Sequence, residues 1–314
     1  MNQNALEKSV LKTLSYFDIF SFPLNADELF YFLWCPPALS KEDFLMGLNL
    51  MVEQKRISAS DGYYFLLGRE KIIEIRLERE KISERKIKKA IRAARLLSII
   101  PFLNAIFLCN SVASGTATEK SDIDFLIVTT PGRIWVVRAL ANFLLRITGM
   151  RTYGKHLANR ICLSFFVTEK KLDFASLRAL DEDIHFAYWL HQTIPLFDPY
   201  YLWRDFIKAN QWTMRYLPYI KNYKKEITPI KFSLFARSWR KIWEKFWQGW
   251  YGDLIERQAE GLERQKMKLS LKDKAELEST DVVLNDNIIK LHEEDKRKLY
   301  YDEWKKKIDE LGID

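Results

Sequence analysis

The sequence predicts an α+β chain with several domains, and three features support this prediction. The chain has 314 residues, which is too long for one small module. Its hydrophobic fraction of 48% can form real cores and excludes wholesale disorder. Apolar residues recur at helical spacing towards both ends of the chain, whereas short apolar runs alternate with helical patterns in the middle. We therefore divide the chain into residues 1–68, 69–100, 101–172 and 173–314.

Residues 1–68 are predicted to form three helices followed by a small hairpin. Apolar residues at helical spacing mark the first helix, over residues 5–20. Asn25 and Ser40 are good N-caps for the second and third helices. The dipeptide Asp61-Gly62 favours a tight turn between two short strands. This order of elements resembles a winged helix-turn-helix domain.

The third helix of this unit, residues 41–54, indicates whether the unit binds DNA. Winged-helix domains often bind DNA through their third helix. The sequence here, KEDFLMGLNLMVEQ, has few basic residues on any face. A structural or protein-docking role is therefore at least as well supported as DNA binding.

Residues 69–99 are predicted to form one long connecting helix, which ends before Pro101. The region 101–172 then alternates strands and helices, as a small α/β core does. After Lys171 the pattern becomes mostly helical. The predicted elements of the core are strands at 105–109, 122–130 and 160–167 and a helix over 133–147.

The stretch 105–130, AIFLCNSVASGTATEKSDIDFLIVTT, holds the residues that point to chemistry. An apolar strand leads into a polar turn at Asn110 and Ser111, and small residues follow. The next strand opens with Asp122 and Asp124, which share a face because strand residues two apart project to the same side. Adjacent carboxylates repel unless a cation neutralises them, and hard oxygen ligands suit Mg²⁺ or Mn²⁺. The small-residue turn would let backbone N–H groups approach a phosphate.

This stretch resembles the nucleotidyltransferase superfamily typified by DNA polymerase β. The family signature is an apolar strand, Gly-Ser or Gly-Gly, nine to thirteen further residues, and then Asp-apolar-Asp. Here ten residues separate Ser111 from Asp122, and Asp-Ile-Asp completes the pattern. The run SVASGTATEKSDIDFLIV is most similar to minimal bacterial nucleotidyltransferase domains, in which Gly115 and the step from Ser121 into the Asp pair recur. The resemblance covers about residues 101–170 and implies a small core with a mixed sheet.

The resemblance implies a role for each matched residue. Asp122 and Asp124 would be the catalytic residues and would hold two divalent ions, Mg²⁺ or Mn²⁺. The implied reaction is in-line transfer of a nucleoside monophosphate from an NTP to an acceptor hydroxyl, with pyrophosphate leaving. The alternative is a structural Asp pair that caps a turn. The residues implied to contact the NTP are Asn110, Ser111, Gly115 and Ser121.

Two departures from the family pattern bear on catalysis. Asn110 stands where the family usually has Gly, although Asn tolerates left-handed backbone better than most residues. The family also supplies a third carboxylate from the next strand, whereas here the inward-facing polar residue is predicted to be Ser164. Glu169 and Asp173 lie just beyond that strand, and the strand register argues against both. The alternative function is therefore a non-catalytic nucleotide- or nucleic-acid-binding regulator with a degenerate transferase core.

Basic residues are concentrated in two stretches of a chain whose formal net charge is +8. Residues 69–95 carry 11 Lys or Arg and 5 Glu, and residues 208–245 carry 10 Lys or Arg and 2 Glu. Such stretches predict a polyanionic partner, either RNA or DNA or an NTP. The alternative for 69–95 is a solvated helix face with intrahelical ion pairs, whereas 208–245 has few acidic partners. Together the two stretches favour nucleic acid as the acceptor.

An aromatic run near residue 245 is a further candidate surface. Its residues fall at helical spacing and could stack on bases. Such a stripe is more often part of a core or the seam with a partner helix. Basic residues interleave with it, so a nucleic-acid-binding or membrane-surface face is also open. The aromatic residues are Trp239, Trp243, Phe246, Trp247, Trp250 and Tyr251, and the basic ones are Arg237, Arg240, Lys241 and Lys245.

Cysteine usage and hydrophobicity predict a cytoplasmic protein. Cys35, Cys109 and Cys162 are scattered through apolar sequence, which favours buried thiols in a reducing compartment over a disulfide framework. No uninterrupted apolar run approaches the length of a membrane span. The first residues show no basic segment followed by an apolar core, so no signal peptide is expected.

Overall fold

A computed structural model describes residues 3–154, 156–223, 227–270, 282–291 and 296–313. Over these residues the chain has the α+β class that the sequence predicts. Its N-terminal part contains helices and short strands in the predicted order. These elements are α1 (Gln3–Ile19), β1 (Leu24–Asn25), α2 (Ala26–Tyr31), α3 (Lys41–Glu53), β2 (Ser58–Ser60) and β3 (Tyr63–Phe65).

The predicted caps begin the second and third helices. The Asn25 side chain accepts a hydrogen bond from the backbone N–H of Glu28 at 2.8 Å, and the Glu28 carboxylate accepts one from the N–H of Asn25 at 3.0 Å. Ser40 Oγ accepts from the N–H of Asp43 at 3.0 Å. The hairpin β2–β3 is joined by the two-residue strand β1, which gives the order β1-β3-β2. A strand of two residues leaves no alternating pattern in the sequence, so it was not predicted.

The outer face of α3 is apolar and acidic. Leu45, Met46 and Leu50 are exposed on it. The only basic residue of α3 is Lys41, whose Nζ lies 2.5 Å from the carboxylate of Asp27 on α2. This surface lacks the positive charge with which proteins contact the DNA backbone.

The middle of the chain contains every element predicted there. These elements are α4 (Ile72–Leu97), β4 (Leu103–Cys109), α5 (Asn110–Ser114), β5 (Ile123–Thr129), α6 (Ile134–Ile147) and β6 (Ile161–Thr168). The remainder contains α7 (Ile184–Gln192), β7 (Ile194–Phe197), α8 (Leu202–Ala209), α9 (Leu234–Phe246), α10 (Trp250–Ser270), β8 (Val282–Leu284), β9 (Ile288–Leu291) and α11 (Arg297–Leu311).

The larger sheet is mixed and has the strand order β7-β4-β5-β6-β9-β8. Strands β5 and β6 run parallel, and the other pairs are antiparallel. Three of the six strands lie after residue 172, so the prediction of a mostly helical region there is corrected in part. Strand β7 contains Pro195, which argues against a strand inside a sheet but is tolerated because β7 is an edge. Strands β8 and β9 are too short to produce a clear period in the sequence.

Four hydrophobic clusters lie among the described residues, and three of them are large. One lies between the sheet and helices α4 and α6, and another covers the opposite face with residues of α7 and α8. The third contains Phe17 of α1 together with Tyr188 of α7 and Trp304 of α11. The Trp304 indole donates to the backbone oxygen of Lys12 at 2.9 Å. The N-terminal unit therefore shares its core with residues of the C-terminal region.

The three cysteines are free thiols in different surroundings. Cys109 is buried and Cys162 is half-buried, whereas Cys35 is exposed, which corrects the expectation that all three are buried. Cys35 has a φ of +49° in the turn between α2 and Pro36. Across the described part of the chain, the helices are either too short or too polar to cross a bilayer.

Candidate functional site

The paired carboxylates lie at the start of β5 and face one cavity. Asp122 immediately precedes the strand and Asp124 is its second residue, so both project to the same side. Both line a cavity of about 520 Å³, into which Asn110 and Ser111 also point from the neighbouring turn. The i, i+2 spacing therefore produces the side-by-side placement that the sequence suggested.

A third potential ligand comes from β6. The carboxylate oxygens of Asp122 and Asp124 and the Sγ of Cys162 all lie within 4.8 Å of one another. The parallel register pairs Asp124 with Cys162 and then Leu126 with Phe165. This irregularity gives β6 one extra residue, because two steps along β5 correspond to three along β6. Cys162, and not Ser164 as predicted, therefore stands level with the Asp pair.

Neither of the acids considered as substitutes reaches the site. Glu169 follows the far end of β6, where its backbone N–H donates to Thr129 O and its carboxylate accepts from Asn104 at 2.9 Å. Asp173 accepts from the N–H of Ala175. At about 3.3 Å per strand residue, the length of β6 separates both acids from the Asp pair. Within the described residues, the ligand cluster consists of two carboxylates and one thiol.

Burial and mutual repulsion make the two carboxylates hard to ionise together. Burial, followed by the charge of Asp122, raises the pKa of Asp124 to about 7, against hydrogen bonds from Asn110 and Cys162. Burial also raises the pKa of Asp122, although hydrogen bonds and the charges of Lys86 and Arg151 oppose the shift. Burial and the two aspartates raise the pKa of the Cys162 thiol, which therefore stays protonated at neutral pH.

Because ionisation of Asp124 is unfavourable in the folded protein, Asp124→Asn is expected to stabilise the protein at high pH in chelator-treated buffer. The folded-state pKa of Asp124 lies above the unfolded value near 4, so folding loses stability as the pH rises from about 4 to 7. Asparagine does not titrate, so the variant escapes a penalty of at most about 4 kcal/mol above pH 7. Urea unfolding at pH 8 should show the gain, and the gain should vanish near pH 4. The exposed Asp173→Asn is the matched control and should show neither effect. A variant less stable than wild type at pH 8 would contradict the electrostatic account.

The turn between β4 and β5 is shaped by left-handed residues and internal hydrogen bonds. Asn110 has a φ of +58°, which Asn tolerates, and its Oδ1 accepts from the indole of Trp189 at 2.7 Å. Gly115 ends α5 with a φ of +83°, and Ser121 Oγ accepts from the N–H of Thr118 at 3.0 Å. Gly115 and Ser121 shape the turn but do not line the cavity, whereas Asn110 and Ser111 do.

A lysine from α4 holds this turn from behind. Lys86 is buried, and its Nζ donates to the backbone oxygen of Ser121 at 2.7 Å and to Asn159 Oδ1 at 2.8 Å. On the same helix, Arg76 is buried and forms ion pairs with Glu28 and Glu80. Part of the first basic stretch is therefore used inside the fold.

The remaining wall of the cavity comes from residues that the sequence did not identify. Tyr16 on α1 and Phe20 just after that helix line it, together with Trp189 on α7 and Tyr300 on α11. Tyr16 Oη and His185 Nδ1 are hydrogen-bonded at 2.9 Å. Because these elements are far apart in the chain, no local pattern could have indicated them. The cationic residues lining the same cavity are Lys290, Lys296 and Arg297.

The oxygen atoms of the Asp pair are suitable ligands for a divalent cation. Two carboxylates held close together suit Mg²⁺ or Mn²⁺, since both ions prefer hard oxygen ligands. Burial raises the pKa of both carboxyls and the charge of Asp122 adds to the rise at Asp124, so a bound cation would favour the doubly ionised pair. Asp122 and Asp124 therefore fit a divalent cation, with Cys162 as a neutral neighbour.

Comparisons with protein-family models, with curated proteins and with solved structures found no match for this chain.

Proposed function

We propose that this chain is a metal-dependent nucleotidyltransferase that moves a nucleoside monophosphate from an NTP to an acceptor hydroxyl. The observation that carries the proposal is the pair Asp122 and Asp124, a half-buried and a buried carboxylate that project to one side of β5 into a cavity also lined by cationic residues. Their sequence context, an apolar strand and a small-residue turn ten residues before Asp-Ile-Asp, supports it.

Each wall of the cavity has a part in the proposed reaction. Asp122 and Asp124 hold Mg²⁺ or Mn²⁺, which when bound supplies charge neutralisation for the phosphates and activation of the acceptor hydroxyl. Ser111 contacts the triphosphate from the turn, and Lys290 offers it a positive charge from the opposite side. The rings of Phe20 and Tyr300, whose centroids are 4.9 Å apart, provide an apolar wall for the base.

The finer fold assignment belongs to the same proposal. Residues 1–68 are a winged-helix-like domain, 69–100 a connecting helix, 101–172 the nucleotidyltransferase core and 173–314 a C-terminal region that adds strands to the core. The apolar outer face of α3 supports protein docking over DNA reading for the winged helix. We also propose that the protein is cytoplasmic.

Nucleic acid is the proposed acceptor class, and α4 supplies the support. Lys81, Arg85, Lys88, Arg92 and Arg95 are exposed at intervals of four and three residues. This spacing forms one basic stripe along the helix, about 21 Å long at 1.5 Å per residue. A stripe of this kind suits a phosphate backbone. The ion pair of Arg85 with Glu119 is exposed, and polyanions compete readily for such a pair.

A second candidate is a non-catalytic nucleotide-binding regulator. The observation that favours it is the thiol of Cys162 in the place where the resemblance leads one to expect a third carboxylate. A site with two carboxylates can bind a metal–NTP complex and yet orient the acceptor hydroxyl poorly.

The deciding experiment compares NTPs labelled at the α- or the γ-phosphate, with Mn²⁺ or Mg²⁺, total RNA and cell lysate. We expect α-label to appear on an acceptor and γ-label to appear only in pyrophosphate. The variant Asp124→Asn should transfer neither label. Binding of NTP without transfer would favour the regulator, and transfer of γ-label would contradict nucleotidyl transfer altogether.

A further inference from the structure

Helix α9 and the start of α10 expose an unusual number of large apolar side chains. Phe235 is 74% exposed, Ile242 66% and Trp250 78%. Leu234, Trp239, Phe246, Tyr251 and Leu254 are also exposed. Exposed apolar surface of this extent generally marks an interaction site. We refer to these eight residues as the α9 face.

The α9 face is continuous and firmly attached to the protein. Phe235, Trp239, Ile242 and Phe246 follow one another at intervals of four, three and four residues, which places them on one side of the helix. Ring contacts continue from Phe246 to Tyr251 of α10, with centroids 6.1 Å apart. The expectation that this aromatic run is part of a core is therefore corrected for its exposed members.

A partly buried ion pair within α9 contacts the backbone just before β4, behind this face. Arg240 is buried and its Nη2 lies 2.9 Å from the carboxylate of Glu244. The same carboxylate accepts a hydrogen bond from the N–H of Phe102 at 2.8 Å. The aromatic residues are therefore exposed although α9 itself is packed against the rest of the protein.

Positive charge runs beside the α9 face, and these cations form no ion pair with the residues that the structure describes. Arg237, Lys241 and Lys245 are exposed at intervals of four residues on the adjacent side of α9. The only acid of α9 is Glu244, which is already bound to Arg240. An apolar face flanked by cations is complementary to an anionic surface that has an apolar interior.

We propose that the α9 face binds the surface of an anionic lipid bilayer, with α9 lying in the plane of the interface. Trp and Tyr favour the headgroup region, and Lys and Arg extend beside them towards lipid phosphates. The aliphatic members Leu234, Ile242 and Leu254 favour lipid over single-stranded nucleic acid, because bases stack on aromatic rings and gain little from aliphatic ones. A second copy is disfavoured because a two-fold interface would place like charges together. This inference does not depend on nucleotidyl transfer.

The test is co-sedimentation of the full chain with phosphatidylcholine vesicles, with and without phosphatidylglycerol. Wild-type protein should bind the anionic vesicles and bind the neutral ones far less. The double variant Trp239→Ser, Phe246→Ser should lose roughly tenfold or more in partition coefficient, since two inserted rings are removed. Trp250→Ser, in another helix, should lose binding independently. Phe143→Ser, an equally exposed aromatic on α6, is the matched control and should bind as wild type does.

Charge reversal separates the electrostatic part of the interaction. The double variant Lys241→Glu, Lys245→Glu should lower binding to anionic vesicles and leave the residual binding to neutral vesicles unchanged. Failure of wild type to bind anionic vesicles would overturn the proposal. The proposal would also be overturned if the double variant Trp239→Ser, Phe246→Ser lost single-stranded RNA binding or lipid-free dimerisation but still bound vesicles.

Discussion

Mn²⁺ with an NTP is expected to raise the melting temperature of the wild-type protein, and replacing Asp122 and Asp124 together by asparagine is expected to abolish that rise. A ligand that binds only the folded state stabilises it by about 2.7 kcal/mol when present at about 100 times its Kd. For a chain of this length that is a shift of several degrees. Asparagine keeps the shape of each side chain and removes the charge that holds the cation. The measurement is thermal unfolding with and without Mn²⁺ and each NTP.

Two controls distinguish loss of ligand binding from damage to the fold. The double variant should be more stable than wild type at pH 8 without ligand, because it relieves the repulsion between the carboxylates. Loss of the shift therefore cannot be attributed to a damaged fold. Asp173→Asn, outside the cavity, should retain the wild-type shift. An equal rise in the double variant and in wild type would place the nucleotide elsewhere.

Replacing Cys162 by aspartate is expected to tighten Mn²⁺ binding and to raise any nucleotidyl transfer. The Cys162 Sγ lies within 4.8 Å of both carboxylate groups, so an aspartate here completes a set of three oxygen donors around one point. Added negative charge strengthens cation binding and a third carboxylate orients an acceptor hydroxyl. Without metal the same charge repels its neighbours, so the melting temperature should fall in chelator and recover with Mn²⁺. Both quantities can be measured by titration calorimetry and thermal unfolding.

The comparison with Ser164→Asp distinguishes between two registers of β6. Ser164 is buried two residues further along the strand than Cys162, so an aspartate there should cost stability and bind Mn²⁺ no better than wild type. Glu169→Gln should leave Mn²⁺ affinity unchanged, because Glu169 lies at the opposite end of the strand. A gain from Ser164→Asp that exceeds the gain from Cys162→Asp would show that the register at the site is wrong.

Sequence alone determined the local features of the fold and of the site, since these depend on residues close together in the chain. Asn25 and Ser40 cap their helices because a short polar side chain reaches a backbone N–H three residues on. Asp122 and Asp124 share a face because strands alternate with a period of two. Asn110 adopts the left-handed backbone that the turn needs, as its residue type allows.

Only the tertiary structure decided which distant residues complete the cavity. The extra residue in β6 brings Cys162 level with Asp124, and a bulge cannot be read from an apolar strand such as ICLSFFVT. Lys290 enters from β9 and Tyr16 from α1, so their placement depends on long-range pairing and on the core shared by α1, α7 and α11. The aromatic run near residue 245 has a helical period whether it is buried or exposed. Its exposure depends on which side of α9 faces the protein, and Arg240 and Glu244 fix that side through the contact with the backbone of Phe102. Helical periodicity alone does not indicate which side is buried.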